Sequence, residues 1–212
     1  TKSEINFYGF VWKDWFTIKG KAYDVINENS LKENNFCVCN GDDESCSNFC
    51  DLENMVKIGY SEITEKVKTL AEGSVHILVI GTENEIDVPL IHLNYLDNKN
   101  VYIYGAGTNP KIKVDISSTF ISKWKQITFS EITILSDASK ESLFISNLYL
   151  KESCIIDDSF KEVSLVTDYL NISILQLSFK SVHVNEQLCV YGDARKTDAK
   201  TKVTFSPHAK FN

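Results

Sequence analysis

A single arginine, Arg195, is present among the 212 residues, and 22 Lys and Arg stand against 29 Asp and Glu for a formal net charge of −7. Phosphate backbones are held by a basic excess, so its absence argues against nucleic acid and anionic membrane surfaces as partners. No apolar run approaches the ~18–20 residues that span a bilayer, and Thr1-Lys2-Ser3-Glu4 lacks a leader's apolar stretch. No direct membrane insertion is expected in this segment, and the missing initiator Met leaves room for a longer parent chain. With only three prolines and nine glycines there is no collagen-like repeat. At 43% hydrophobic and 24% charged, the chain is long enough to bury a core as one domain with a small extension.

What is present begins with six cysteines. Cys37, Cys39, Cys46 and Cys50 fall in one polar segment, whose Asn, Gly, Asp and Ser cannot bury enough apolar area to hold one shape. Covalent closure by two local disulfides is the expected remedy. Zinc knuckles favour C-x2-C spacing, and C-x-C and C-x3-C are found here, so no metal is expected. Cys154 and Cys189 are expected to form a third bridge, with buried thiols as the alternative. The sequon Asn171-Ile-Ser173 lies in an alternating run that sends Leu170, Ile172 and Ile174 to one face. Asn171 is therefore expected to face solvent and accept a glycan. Cysteines and sequon together point to a secreted or cell-surface protein.

Residues 1–60 hold Trp12 and Trp15 in a hydrophobic cluster read as a plug, followed by the Cys-rich loop. From Ser61 to Gly73, Ile63, Val67 and Leu70 recur at helical spacing, predicting an amphipathic helix of about three turns over 61–72, with Ser61 as N-cap and Gly73 as its stop. From Val75 onward, helical periodicity is missing. Short apolar or alternating runs follow instead, including Val75–Ile80, Val88–Leu93, Val101–Tyr104, Ile127–Phe129, Leu143–Leu150, Val163–Val166, Leu170–Phe179, Val182–Val184 and Leu188–Tyr191. This excludes doubly wound sheets and TIM barrels. The runs at Val75, Val101 and Ile127 start 26 residues apart, as the coils of a solenoid would, while later starts at Leu143, Val163 and Val182 are spaced 16, 20 and 19. No Asn-Gly or Asp-Gly hairpin joins adjacent strands, and Gly105-Ala-Gly107 suits a coil corner.

Ile63-Thr-Glu-Lys-Val-Lys-Thr-Leu-Ala-Glu-Gly73, Val75–Thr82, Asp97–Gly107 and Ile112-Lys-Val114 together resemble the opening of right-handed parallel β-helix proteins of the pectin-lyase-like type. The resemblance covers about residues 60–115. It implies an all-β, right-handed parallel β-helix of roughly five or six coils, with a capping helix and coils over 61–212 and a disulfide-stabilised extension over 1–60. The same scaffold carries polysaccharide lyases, glycoside hydrolases and noncatalytic surface adhesins.

Chemistry has to separate these. The Gly-His-Gly and Arg-x-Lys motifs of the hydrolases are missing, and Asn-x-Asp occurs only as Asn40-Gly-Asp42. Asp157-Asp158 is read as a polar turn. Arg195 lies in a Lys/Asp/Thr-rich loop away from any acid cluster, and Asp42-Asp43-Glu44 as a solvated stretch. His76, His92 and His183 sit in apolar strands and His208 beyond them, each without a partner carboxylate in sequence reach. No catalytic residue and no cofactor are assigned, and the chain is read as leaning away from enzymes. Binding remains. If Val101 and Ile103 point inward, Tyr102 and Tyr104 point outward together, and Phe144 and Tyr149 extend the aromatic surface. The expectation is an extracellular adhesion or recognition module for a protein receptor or glycan, with a carbohydrate-active enzyme as the alternative.

Overall fold

A computed structural model of the chain describes residues 4–8, 34–39, 56–70, 73–83, 87–96, 99–115, 126–137, 141–151, 154–172 and 178–191. The first strands are β1 (Glu4–Tyr8), β2 (Asn34–Val38) and β3 (Val56–Ile58), followed by the helix α1 (Ile63–Lys68). Then come β4 (Gly73–Gly81), β5 (Leu90–His92), β6 (Lys99–Gly107), β7 (Lys111–Asp115), β8 (Gln126–Ser130) and β9 (Thr133–Asp137). The chain continues through β10 (Ser142–Leu150), β11 (Ile155–Ile156), β12 (Ser164–Ile172) and β13 (Ser181–Tyr191). Among the described residues all pairings are parallel. Nine strands form one sheet in the order β1-β13-β12-β10-β8-β6-β4-β2-β3, and four form a second in the order β11-β9-β7-β5. The fold is a parallel β-solenoid of about five turns.

The core follows from in-register stacking of identical chemistry. Val75, Val101, Ile127, Leu148, Leu170 and Leu188 succeed one another across the large sheet, and so do Ile77, Ile103, Phe129, Leu150, Ile172 and Val190. All are buried in one continuous cluster. Ile112, Ile134 and Ile156 make the corresponding row of the small sheet. Each such side chain stabilises the fold by roughly 1.5–3 kcal/mol on burial.

Coil lengths read from these pairs correct the sequence spacing. Ile127 pairs with Leu148 rather than Leu143, 21 residues on, and Leu148 pairs with Leu170, 22 residues on. The apparent interval of 16 arose because β10, β12 and β13 bend and extend upstream of the older coils. In β10 the buried positions are Leu143 and Ile145, then Leu148 and Leu150, so Ser146 and Asn147 both face out. β12 repeats this with Asp168 and Tyr169, where its pairing to β13 shifts register. Buried Thr167 sits at the bend, and its one hydroxyl proton is shared between the carbonyls of Ser146 (3.3 Å) and Tyr169 (3.1 Å). Runs read as separate lie, over 164–166 and 170–172 and over 182–184 and 188–191, on the two arms of single bent strands.

Corners between the sheets are built from close backbone approach. Gly107 has φ +75°, and a Cβ at Gly105 would lie 2.1 Å from the Glu131 carbonyl oxygen of the next coil. Only glycine admits that contact. Thr108 N–H donates to Gly81 O (2.9 Å) and Thr133 N–H to Pro110 O (3.0 Å), so each corner hydrogen-bonds to the one below.

The helix is shorter than its periodicity implied. A 3-10 turn over Tyr60–Glu62 precedes α1, Ser61 lies inside that turn, and the Glu62 carboxylate accepts the Gly59 N–H at 2.8 Å. Gly73 begins β4 instead of stopping the helix, because pairing with Lys99 gives its backbone a ladder partner. Ile63 and Val67 are buried in the core cluster. β2 and β3 arise within the segment read as an extension, yet pair into the large sheet. The Trp12 and Trp15 plug, Cys46 and Cys50, Arg195 and His208 lie outside the described residues.

Candidate functional site on the outer faces

Alternation sends His76, Leu78 and Ile80 of β4 and Tyr102 and Tyr104 of β6 to the outer face of the large sheet. Outward there does not mean exposed. Cys37, Cys39, Leu78, Ile80 and Tyr104 form a second buried cluster, with Tyr60 and Tyr102 packed against it. Tyr104 is 7% exposed. Tyr102 stacks on His76 at 4.7 Å and 9° and on Tyr104 at 6.5 Å and 7°, a cross-coil aromatic stack. The Tyr60 hydroxyl donates to Ile80 O at 2.9 Å. The expectation that Tyr102 and Tyr104 present open rings side by side is therefore corrected, since Tyr104 is spent on packing.

The same row carries a second correction. Tyr102, Thr128, Tyr149, Asn171 and Cys189 are lateral neighbours on successive strands. Asn171 is 9% exposed and sits on β12 between β10 and β13, so the amide expected to face solvent is buried. Alternation gave the correct face, but that face is covered at this height. Cys39, Cys154 and Cys189 are buried thiols, which removes the expected Cys154–Cys189 bridge. Their strands explain why: Cys189 lies on β13 facing outward, whereas Cys154 precedes β11 and packs in the inner core.

Phe144 and Tyr149 are half-buried on the outer face of β10, on either side of its bend. Burial, and secondarily Cys189, raise the Tyr149 phenol above its ordinary pKa. Between them lies a row the sequence reading did not find. Asn100 pairs with Gln126, Asn147 with Tyr169, and Tyr169 with Gln187. Leu148 pairs with Ile127, so the preceding Asn147 and Gln126 are neighbours too. Uncharged amides and one phenol thus occupy a single height on five strands, ~4.8 Å apart. Four are half-buried, and Tyr169 is 42% exposed. The coil alignment needed to see this row is unreadable until Ile127 is matched to Leu148.

On the small sheet, register brings His92 of β5 beside Asp115 of β7. His92 Nδ1 contacts Asp115 Oδ2 directly, supplying the partner carboxylate that the sequence seemed to lack. Asp137 is the next residue in the row. The His92 ring lies 5.6 Å from that of Tyr95, and Lys68 Nζ lies 4.8 Å over the Tyr95 ring. A hydrogen bond from Lys68 to Glu65 at 2.6 Å holds the ammonium pKa above its ordinary value. The signal in the sequence was the spacing: 23 residues, about one coil, separate His92 from Asp115.

Asp157 and Asp158 serve a turn. The Asp157 carboxylate accepts the Ser159 N–H at 2.8 Å, and Asp158 accepts the Ser178 hydroxyl at 2.8 Å. Among the described residues, no three His, Cys, Asp or Glu side chains converge to hold a metal ion, and no helix is long and apolar enough to cross a membrane. No family model, curated protein or solved structure matches the chain.

Proposed function

We propose that this solenoid is a right-handed, pectin-lyase-like β-helix that serves as a noncatalytic recognition module, and that its ligand is a glycan lying along the solenoid axis. The row Asn100, Gln126, Asn147, Tyr169 and Gln187 carries the reading. An amide donates and accepts at once, as sugar hydroxyls require, and a phenol ring offers a flat apolar face to a pyranose. The repeat of one such group every ~4.8 Å suits a polymer of similar repeat better than a compact ligand. Phe144 and Tyr149 flank the row. A protein receptor remains the other outcome of the same test.

A secreted or cell-surface location goes with this reading. Its support is the density of cysteines in the polar segment from Cys37 to Cys50, where covalent closure would persist only in an oxidising compartment. Mapping by mass spectrometry after trapping thiols at lysis checks it, and a reduced Cys37 in the native source would reverse the assignment.

The direct test is a glycan array probed with the unaltered chain, Tyr169→Ala and Asn147→Ala. Glycan binding that drops at least tenfold in both variants, with the circular dichroism spectrum unchanged, supports the proposal. Binding indifferent to both substitutions removes this face from consideration.

One observation favours a carbohydrate-active enzyme instead: the His92–Asp115 contact, in which a carboxylate orients an imidazole that is partly open to solvent. Release of reducing ends or unsaturated uronates from a polysaccharide panel, abolished by His92→Gln, would establish that reading.

A further inference from the structure

From β2 through β4, β6, β8, β10 and β12 to β13, the strands of the large sheet follow chain order. β1 does not. Among the described residues the first strand lies beside the last, pairing in parallel as Glu4 with Gln187, Ile5 with Leu188, Asn6 with Cys189, Phe7 with Val190 and Tyr8 with Tyr191. It therefore occupies the slot in which a further coil would place its strand. Leu188, Cys189 and Val190 are 2%, 5% and 5% exposed, so the last coil is shielded. At the opposite edge β3 is three residues long, and Val56 is 50% exposed. Among the described residues the two ends are thus unequal, and only the β13 edge takes a five-residue parallel partner.

We propose that the β13 edge is a strand-acceptor site for the segment Glu4–Tyr8, and that a second copy of this chain donates that segment in the same register, giving strand-exchanged self-association. The argument is one of reach and equivalence. β1 and β2 stand seven strand spacings apart in the sheet order, roughly 33 Å at ~4.8 Å per spacing. Residues 9–33 join them, and 25 residues extend to as much as ~80 Å. The connection therefore reaches a neighbouring molecule's β13 as well as its own. The donated backbone hydrogen bonds and register are the same in either case, so only the local concentration of the donor separates them. The inference is independent of the glycan reading.

The pairing of Asn6 with Cys189 supplies the test. In-register Cα atoms of adjacent strands lie ~4.8 Å apart, within the ~4.4–6.8 Å that a disulfide spans. In dilute solution, mild oxidation of full-length Asn6→Cys should crosslink position 6 to Cys189 within one chain, as mapped by peptide mass spectrometry. For exchange, the double variant Asn6→Cys, Cys189→Ser is mixed with the unaltered chain, unfolded in urea without reductant and refolded at rising concentration. A mixed dimer joined between position 6 and Cys189, with its share growing with concentration, supports exchange. Absence of the mixed dimer at every concentration, while the intrachain link forms, overturns it and leaves β1 as a fixed internal staple. Absence of both links overturns the acceptor site itself. If Asn6→Cys fails to fold, the Tyr8→Cys, Tyr191→Cys pair gives the same readout two residues along the same register.

Discussion

Cys154 shows how far a residue's chemistry can be set by its surroundings. It is 3% exposed in the inner core, and burial pushes its thiol pKa up to about 12. The thiolate is the reactive form, so Cys154 is expected to resist alkylation at pH 8 in the folded chain and to react only on unfolding. Labelling of native protein at the denatured rate would contradict this burial. The folded pKa lies above the unfolded value near 9, so the folded chain binds the extra proton between about pH 9 and 12. The associated stability is intact below pH 9 and is lost as the pH rises through that window, at up to ~1.4 kcal/mol per pH unit. Cys154→Ala should flatten that slope in urea titrations at pH 9–11 while lowering stability at pH 7. Gly105 is the opposite case, where a missing side chain is the requirement. Gly105→Ala places a methyl 2.1 Å from Glu131 O, and the displaced corner should cost about 1–3 kcal/mol, read as a lower urea midpoint with an unchanged slope.

Elements here are legible to the extent that their environment is one-sided. β7 alternates cleanly and β4 reads as a continuous apolar run, buried on both faces, and both are visible in the sequence within two residues. β6 instead runs three residues past Val101–Tyr104 into the Gly105–Gly107 corner. β10, β12 and β13 keep their inward rows only by switching phase at Ser146-Asn147, Asp168-Tyr169 and Asn185–Gln187, and the period-two reading broke β12 and β13 in two while leaving β10 as the single run Leu143–Leu150. β1, β2, β3 and β11 are short or lie in polar surroundings, and no pattern announced them. α1 is six residues long and too short to be stable by itself, so packing of Ile63 and Val67 on the first coils must hold it. Val67→Asp, which puts a carboxylate into that contact, is expected to destabilise the fold by about 3 kcal/mol or more, whereas the exposed Lys66→Ala should be nearly neutral. Equal effects in thermal melts would show that α1 is not docked.

As a whole, the molecule is a stack in which each coil touches mainly its neighbours, so stability is expected to vary along its axis. Native-state hydrogen exchange should find the slowest amides in β6, β8 and β10, which have a strand on both sides, and faster exchange in β3 at one edge. Uniform protection from β3 to β13 would argue for a single cooperative unit. Composition and apolar rhythm by themselves determined the all-β class, the coil spacing of 26 near Val75, Val101 and Ile127, and the net charge that disfavours phosphate partners. These are properties of local order, in which side-chain type and period two say which face is apolar. Only the tertiary structure decided that His92 meets Asp115, that amides from four strands and a phenol from a fifth share one row, that Asn171 and Tyr104 face outward yet are buried, and that the first described strand lies beside the last. Each depends on which residues of distant coils come level with one another, and that register is set by corner backbone contacts and bends whose effect accumulates over the whole chain.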